Sequence, residues 1–485
     1  MISDFLTSEI KSKQINTEVC IIGAGAAGIT LALEFEKLGV DNILIEGGGL
    51  EYPTPEQLDL YDAAVGDKPY PVATSRLRYF GGSTNHWGGW SRALDDFDFN
   101  QKPYFTEKGW PISQEAVHQY YPKAAEICEI PHFEKCHNGY YQKQLTDGVI
   151  DWQNNLFTNK FFVFSPPTRF GTKYLDTISH SKHITTYLNA NATELLFNGK
   201  TIEGVVAKSL DGKQLKITAK HTILAMGGLE NARFMLNNHN NDFKQGVGNH
   251  ADWLGRCFMD HPGFQPIDLL LPKGLNYKRH LFEDEAVMPV ISMTDEALLK
   301  HQLNNFCVML GRKKDDETLN PEYMNNPWFK QTAHPAGNYN AQFIFEPSPC
   351  KDSRITLTSE KDGLGMNKLK LDWRFNDRDF RSLEKVVKLM IQEMGVTNLG
   401  RIKWKKFFEP KTIKAIGGGM HHAGTTKMSS HPSDGVVDEN CQVHETEGLF
   451  VIGNSVFPHV GFSNPTITIV ALSLRLANHI KGLKS

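Results

Sequence analysis

At 485 residues the chain is too long for one ordinary hydrophobic core, so two or three structural units are expected. Its net charge of −3 comes from interspersed acids and bases with no basic stripe, which argues against nucleic acid as a partner. No apolar run approaches the roughly 18 residues that cross a bilayer, no signal-peptide pattern opens the chain, and its seven scattered cysteines form no Cys-x-x-Cys pair, so a cytoplasmic protein with reduced thiols is expected.

In chain order, residues 1–17 are polar and read as a loose or docking arm. Residues 19–22 form a buried-strand run in which Cys20 serves as a small apolar residue. Gly23-Ala-Gly-Ala-Ala-Gly28 then has the spacing G-x-G-x-x-G. A helical pattern follows through Ile29, Leu31, Ala32, Leu33, Phe35 and Leu38, stops at Gly39, and gives way to the apolar run Ile43, Leu44 and Ile45 before Glu46. This is a complete βαβ unit. In such a unit Gly23 makes the tight turn and Gly25 lets a pyrophosphate approach. Ala26 and Ala27 open a helix with free N–H groups, and Gly28 lets helix and strand pack closely. Glu46 stands where a carboxylate accepts from ribose hydroxyls. A tight βα turn with no ligand is the competing reading, and it leaves the acid and the second strand without a purpose.

Residues 47–71 show no strong period and must wrap over another element to be ordered. In 76–90, four glycines flank Ser83-Thr84-Asn85-His86-Trp87. So polar a cluster is a costly way to build a turn, and the loop reads as one that approaches something flat or bulky. Ser113 is a candidate N-cap for a helix through Val117, Tyr120 and Tyr121, which Pro122 kinks or interrupts. Short strands are predicted at 184–188, 192–197 and 202–207, with turns at Asn198-Gly199 and Asp211-Gly212. A buried strand over 221–226 ends in Gly227-Gly228 and a helix, a second turn suited to phosphate or ribose. The texture changes over 260–410, where strands at 267–271, 340–345 and 354–358 alternate with charged loops ahead of a helix over 377–394. Trp328, His334, Tyr339 and Gln342 in this block offer aromatic faces and an amide to a polar ring, or simply pack a sheet. The last part carries a glycine-rich loop with His421 and His422, then Asn454, His459 and Asn464-Pro465-Thr466 ahead of an apolar helix over 467–480. Adjacent histidines do not share a helical face, and no metal site is expected.

These blocks, in this order, resemble the glucose–methanol–choline (GMC) flavoprotein oxidoreductases. The resemblance rests on Gly23-Ala-Gly-Ala-Ala-Gly28, Gly81-Gly-Ser-Thr-Asn-His-Trp87, Gly109-Trp-Pro111 and Ala225-Met-Gly-Gly-Leu-Glu-Asn-Ala232. It continues through Arg354-Ile-Thr-Leu357, His421-His-Ala-Gly-Thr-Thr-Lys-Met428, Leu449-Phe-Val-Ile-Gly-Asn-Ser-Val-Phe-Pro458 and Asn464-Pro-Thr466. The His-Trp after the Gly-Gly loop and the Asn-Pro-Thr ending look most like the sugar-oxidising side: pyranose oxidases, sugar dehydrogenases, glycoside 3-oxidases and aminoglycoside-type oxidases. The resemblance implies an α/β fold. A Rossmann-like FAD-binding domain would be assembled from 1–102, 181–260 and 416–485. A cap segment over 103–180 and an inserted α+β substrate domain over 261–415, with a six-stranded antiparallel sheet, would complete it.

It further implies FAD held by Gly23, Gly25, Ala26, Ala27, Gly28, Glu46, Gly82, Ser83, Asn85, His86, Trp87, Ala192, Gly227, Asn454, Pro465 and Thr466. In pyranose oxidases the histidine matching His86 is bonded to the flavin, and in related dehydrogenases it is not. The family's catalytic histidine falls on His421 and its second position on Asn464, with His422 the rival base. A neutral imidazole, of ordinary pKa about 6.5, suits removal of a hydroxyl proton. His422, His459, Gln342 and Trp328 are the candidate substrate contacts. The implied activity is oxidation of a primary or secondary hydroxyl of a sugar, glycoside or polyol, with electrons passing to O2 or to an external acceptor. Homo-oligomerisation is left open. An NAD-dependent dehydrogenase, a flavoprotein feeding a separate electron-transfer partner, and a non-catalytic flavin-binding protein are the competing readings.

Overall fold

The computed structural model describes residues 1–7, 12–67, 69–136, 139–271, 275–312, 337–404 and 418–483. One of its two large sheets runs in the order Ile2–Asp4, Ile184–Leu188, Asn42–Ile45, Ser12–Ile22, Gln214–Leu224, Thr201–Lys208, Asn191–Asn198. Every pairing as far as Gln214–Leu224 is parallel, as is that of Leu449–Val451 on Gln214–Leu224. The last two strands are antiparallel. Val19, Cys20, Ile21 and Ile22 are buried, as expected of a parallel strand covered on both faces. The helices Ala26–Lys37 and Thr466–Gly482 pack on one another, so the first and last parts of the chain share one core. Strand Ser12–Ile22 sits between Asn42–Ile45 and Gln214–Leu224; the helix Ala26–Lys37 follows its carboxyl end, and the helix Gly227–Asn237 follows the carboxyl end of its neighbour Gln214–Leu224. That is where an open α/β sheet forms its ligand crevice.

The expected loose arm is instead part of this sheet. Ile2–Asp4 pairs with Ile184–Leu188, and residues 12–17 pair with 214–219. Only one side of 12–17 is covered, which permits the polar sequence Ser-Lys-Gln-Ile-Asn-Thr, while the ladder satisfies the backbone. The helix expected across Pro122 is two helices, Glu115–His118 and Tyr121–Ile127. Pro122 lies in the first turn of the second, where its missing N–H costs nothing.

The second large sheet is antiparallel, in the order Arg401–Trp404, Gly263–Leu271, Gly337–Phe345, Phe306–Arg312, Glu285–Met293, Phe157–Phe164, Trp90–Ser91, with His280–Phe282 beside Glu285–Met293. It therefore has eight strands among the described residues, not six. Helix Asp377–Val396 covers one face. Its first turn is fixed by a capping box between Asn376 and Asp379. Leu383, Val386, Val387, Met390 and Met394 recur at helical spacing and bury against Ile267, Leu269, Phe306 and Phe343. Each such side chain contributes about 1.5–3 kcal/mol when fully buried. A small sheet of Arg354–Lys361, Asn367–Asp372 and Ala63–Val65 ties the wrapping segment 47–71 down. No helix among the described residues is long and apolar enough to cross a membrane. All seven cysteines are free thiols.

Candidate active site

A cavity of about 670 Å³ opens at the carboxyl end of the parallel strands. Its first wall is the Gly23–Gly28 turn. Gly23 has φ +103°, and a Cβ there would lie 2.7 Å from the Ala225 carbonyl oxygen. Gly25 faces open space and caps the helix without a side chain, so the amides of Ala26 and Ala27 face the cavity with no intrahelical acceptor. Gly28 does not line the cavity. A Cβ on it would lie 1.9 Å from the Gly23 carbonyl oxygen, so its task is the packing behind the wall. Gly28→Ala is expected to abolish flavin retention, read as loss of yellow colour in the purified protein together with a lowered melting temperature.

Glu46 lines the same wall. One carboxylate oxygen accepts from the Ala24 amide at 2.8 Å and the other from the Gly48 amide at 3.0 Å. Burial raises its pKa, and these amides oppose that rise. Remaining lone pairs are available to ribose hydroxyls. Ala192, Gly227 and Asn454 complete this end. Sequence reasoning missed the charged floor beside it. Arg76 pairs with Glu230 at 2.9 Å, and Arg233 bridges Glu230 at 3.1 Å and Asp362 at 2.5 Å. Arg76 also lies 4.0 Å over the Tyr61 ring. These residues come from four distant segments, so no local spacing announces them.

The Gly-Gly loop lies over the first helix. Gly82 has φ +52°, and a Cβ there would stand 3.2 Å from the Gly25 Cα. Gly82, Ser83, His86 and Trp87 line the cavity; Asn85 does not. Its amide points back into the loop, donating to the Phe80 carbonyl at 2.7 Å and accepting from the Gly171 amide at 3.2 Å. It holds the loop. His86 Nε2 is 2.7 Å from the Tyr79 hydroxyl. The Trp87 indole donates to the Thr168 carbonyl at 2.8 Å.

At the far end His421, His422, Asn464, Pro465 and Thr466 share one wall. Asn464 Nδ2 is 3.2 Å from His421 Nε2. His421 Nδ1 is 2.8 Å from His261 Nδ1. The loop carrying His421 is bolted by Asp260, a buried residue. Asp260 accepts from the amides of His421 at 2.8 Å, Met420 at 3.0 Å and His261 at 2.7 Å, and from the Tyr70 hydroxyl at 2.5 Å. His422 is buried edge-on to Tyr70 and tilted on Phe258. Its Nε2 finds no partner among the described residues. Burial pushes the His421 imidazole down to about 4 and that of His422 to about 3, so both are neutral near pH 7. Asp260 and His261 escaped the sequence reading. The signal available was a charged pair, Asp260-His261, between the apolar Phe258-Met259 and Pro262 at the mouth of a strand.

Two candidate substrate contacts fall elsewhere. His459 is fully buried behind the wall, with Nδ1 accepting from Lys102 Nζ at 3.1 Å and its ring edge-on to Phe105. A Cβ on Gly109 would come within 2.8 Å of its ring, which accounts for the glycine of Gly109-Trp-Pro111. Gln342 is half-buried on the sheet face away from helix Asp377–Val396 and off the cavity wall. Trp328 lies outside the described residues, as does His334.

FAD fits this site. An uncapped helix N-terminus and the open space at Gly25 suit its pyrophosphate, Glu46 suits its ribose, and the glycine loop at Gly82 with the neutral His421 on the same cavity wall suits the ring at the reactive end. A parallel sheet with two glycine-rich βα turns, feeding one cavity that ends at neutral imidazoles, defines a flavin-dependent oxidoreductase. Residues 349–473 match the family model described as GMC oxidoreductase, and residues 16–57 one described as FAD binding domain. Through these two segments the chain is similar to the GMC oxidoreductases, and it is an FAD-dependent enzyme acting on CH–OH groups. It is similar to the fructose dehydrogenase large subunit of Gluconobacter japonicus, 25% identical over 56% of this chain and 48% of that protein. It is also similar to paromamine 6'-oxidase of Streptomyces fradiae, 22% identical over 96% of this chain and 91% of that one. Formate oxidase of Aspergillus oryzae RIB40, solved in work on its FAD modification, shares the fold. Its TM-score is 0.54 at 17% identity, over 96% of this chain and 98% of that structure.

Proposed function

We propose that the enzyme oxidises a primary or secondary hydroxyl of a sugar, glycoside or related polyol, with His421 as the base. The observation that carries this is the neutral His421 Nε2 set 3.2 Å from the Asn464 amide on the cavity wall. Bound FAD supplies the hydride acceptor. His421 Nε2 takes the hydroxyl proton, and the Asn464 amide turns to the same oxygen, fixing which C–H bond faces inward. Orientation of this kind lowers a barrier by several kcal/mol. The cavity lining includes His421, His422 and Asn464 as well as Trp87 and Trp90, a mixture of amide, imidazole and aromatic faces that suits a ring of alternating C–H and O–H surfaces. Fructose dehydrogenase and paromamine 6'-oxidase, similar in sequence, support a sugar-like substrate. In this reading 1–102, 181–260 and 416–485 hold FAD, 103–180 and 261–415 hold the substrate, and the enzyme works in the cytoplasm.

Anaerobic mixing of the purified enzyme with free sugars, glycosides and aminoglycosides is expected to bleach its flavin with at least one of them. Bleaching by simple aliphatic or aromatic alcohols, and by none of these, would remove the sugar assignment. Peroxide yield in air, against reduction of a dye or quinone, then sorts oxidase from dehydrogenase. A covalent flavin on His86 Nε2 has to displace the Tyr79 hydroxyl now 2.7 Å away, and flavin fluorescence in the protein band of a denaturing gel reads this directly.

A further inference from the structure

We propose that His261 is a positioning residue that holds His421 in its Nδ1–H tautomer, leaving the Nε2 lone pair free for the substrate hydroxyl. This rests on the reading of His421 as the base. The polarity of the contacts carries the inference. His261 Nε2 lies 3.0 Å from the Gly461 carbonyl oxygen. A carbonyl only accepts, so His261 Nε2 bears the proton, and in the neutral ring Nδ1 is left with a lone pair. His421 Nδ1, at 2.8 Å, therefore donates to it. The neutral His421 ring then has a bare Nε2, which faces the Asn464 amide nitrogen at 3.2 Å. Each nitrogen in this chain has one role, and the reverse direction would require the Gly461 carbonyl to donate.

The far end of the chain is anchored as firmly as the near end. The Gly461 N–H donates to Glu346 Oε1 at 3.0 Å, and Glu346 Oε2 takes the Asn305 amide at 3.3 Å. Glu346 and Asn305 are fully buried, and His261 is 3% exposed. These bonds fix the backbone at Gly461, the residue whose carbonyl faces His261 Nε2. Burial holds His261 down at about 4, in keeping with a neutral ring that both donates and accepts. Asp260, next in sequence, secures the backbone of both His261 and His421, so the two rings are held together from main chain as well as side chain.

The test uses the FAD-loaded enzyme labelled with 15N-histidine, with His421→Gln identifying the His421 signals. Wild type is expected to show His421 protonated at Nδ1 and bare at Nε2. His261→Phe keeps the ring volume and removes the acceptor. It is expected to move His421 to a mixed or Nε2–H state and to slow flavin reduction by about 10²-fold. His261→Gln can accept through Oε1 and donate through Nε2, and is expected to recover both the tautomer and most of the rate. An Nε2–H signal for His421 in wild type, or an unchanged Nδ1–H signal in His261→Phe, would overturn the proposal. A shifted tautomer with undiminished reduction in both His261→Phe and His421→Ala would instead sink the assignment of His421 as base, while leaving the role of His261 standing.

Discussion

His421→Ala is expected to slow flavin reduction by about 10²- to 10⁴-fold, the usual contribution of a positioned general base, with FAD still bound. Its ring ends at the cavity wall and, among the described residues, hydrogen-bonds only to the His261 and Asn464 side chains, whereas the loop backbone is fixed by Asp260, so the cofactor wall should survive the truncation. Asn464→Ala removes an orienting amide but no base, and its cost should be smaller. His422→Ala is the informative contrast. That ring packs on Tyr70 and Phe258, and its Nε2 has no partner among the described residues, so its loss should lower stability more than rate. Rapid-mixing measurements of flavin reduction at saturating substrate would compare all three. A larger rate loss for His422→Ala than for His421→Ala would exchange their roles.

Acid is expected to destabilise the fold well before the carboxylates at large are titrated. His421 and His261 are held at about 4 and His422 at about 3 by burial, against about 6.5 in an unfolded chain. Between those values the unfolded chain binds protons that the folded one refuses. The stability from these groups is whole above about pH 6.5 and is lost progressively as pH falls toward 4. Asp98 and Asp379, raised to about 7 and about 6, titrate in the opposite sense over part of that window and offset some of the loss. The readout that isolates one histidine is therefore a difference. Urea unfolding at stepped pH should show a shallower slope for His422→Phe than for wild type, by up to about 1.4 kcal/mol per pH unit between 6 and 4. Identical slopes would mean that His422 is protonated in the fold or exposed to water.

What the sequence made legible was local. The turn at Gly23, the helix behind it, Glu46 at the end of the next strand and the Gly227 turn all follow from spacings within about 25 residues, because a βαβ unit writes its period into a continuous stretch. Which way a loop side chain points was not legible. Asn85 and His86 are neighbours with similar polarity, yet one faces inward to Phe80 and Gly171 and the other faces the cavity. That choice is made by the helix at 170–173, far along the chain. His459 is a candidate substrate contact from its place in the loop before Asn464; Lys102 and Phe105, some 350 residues earlier, decide that it is buried behind the wall. Asp260 and His261 stand out only as a polar pair amid apolar residues, and their role was not legible for the same reason. Their partners come from residues 70, 420, 421 and 461, and nothing about two polar residues ahead of a proline announces that.

The contact between Gly82 and Gly25 carries a consequence for how the molecule is put together. The loop that covers the first helix, the histidine loop at 421 and the Asn464 segment close on one space from three parts of the chain far apart in synthesis. A nascent chain that stops short of residue 464 has the phosphate cradle but no enclosure. Full enclosure of the cofactor therefore waits until the segment at 464 has been made and has folded back onto the first helix.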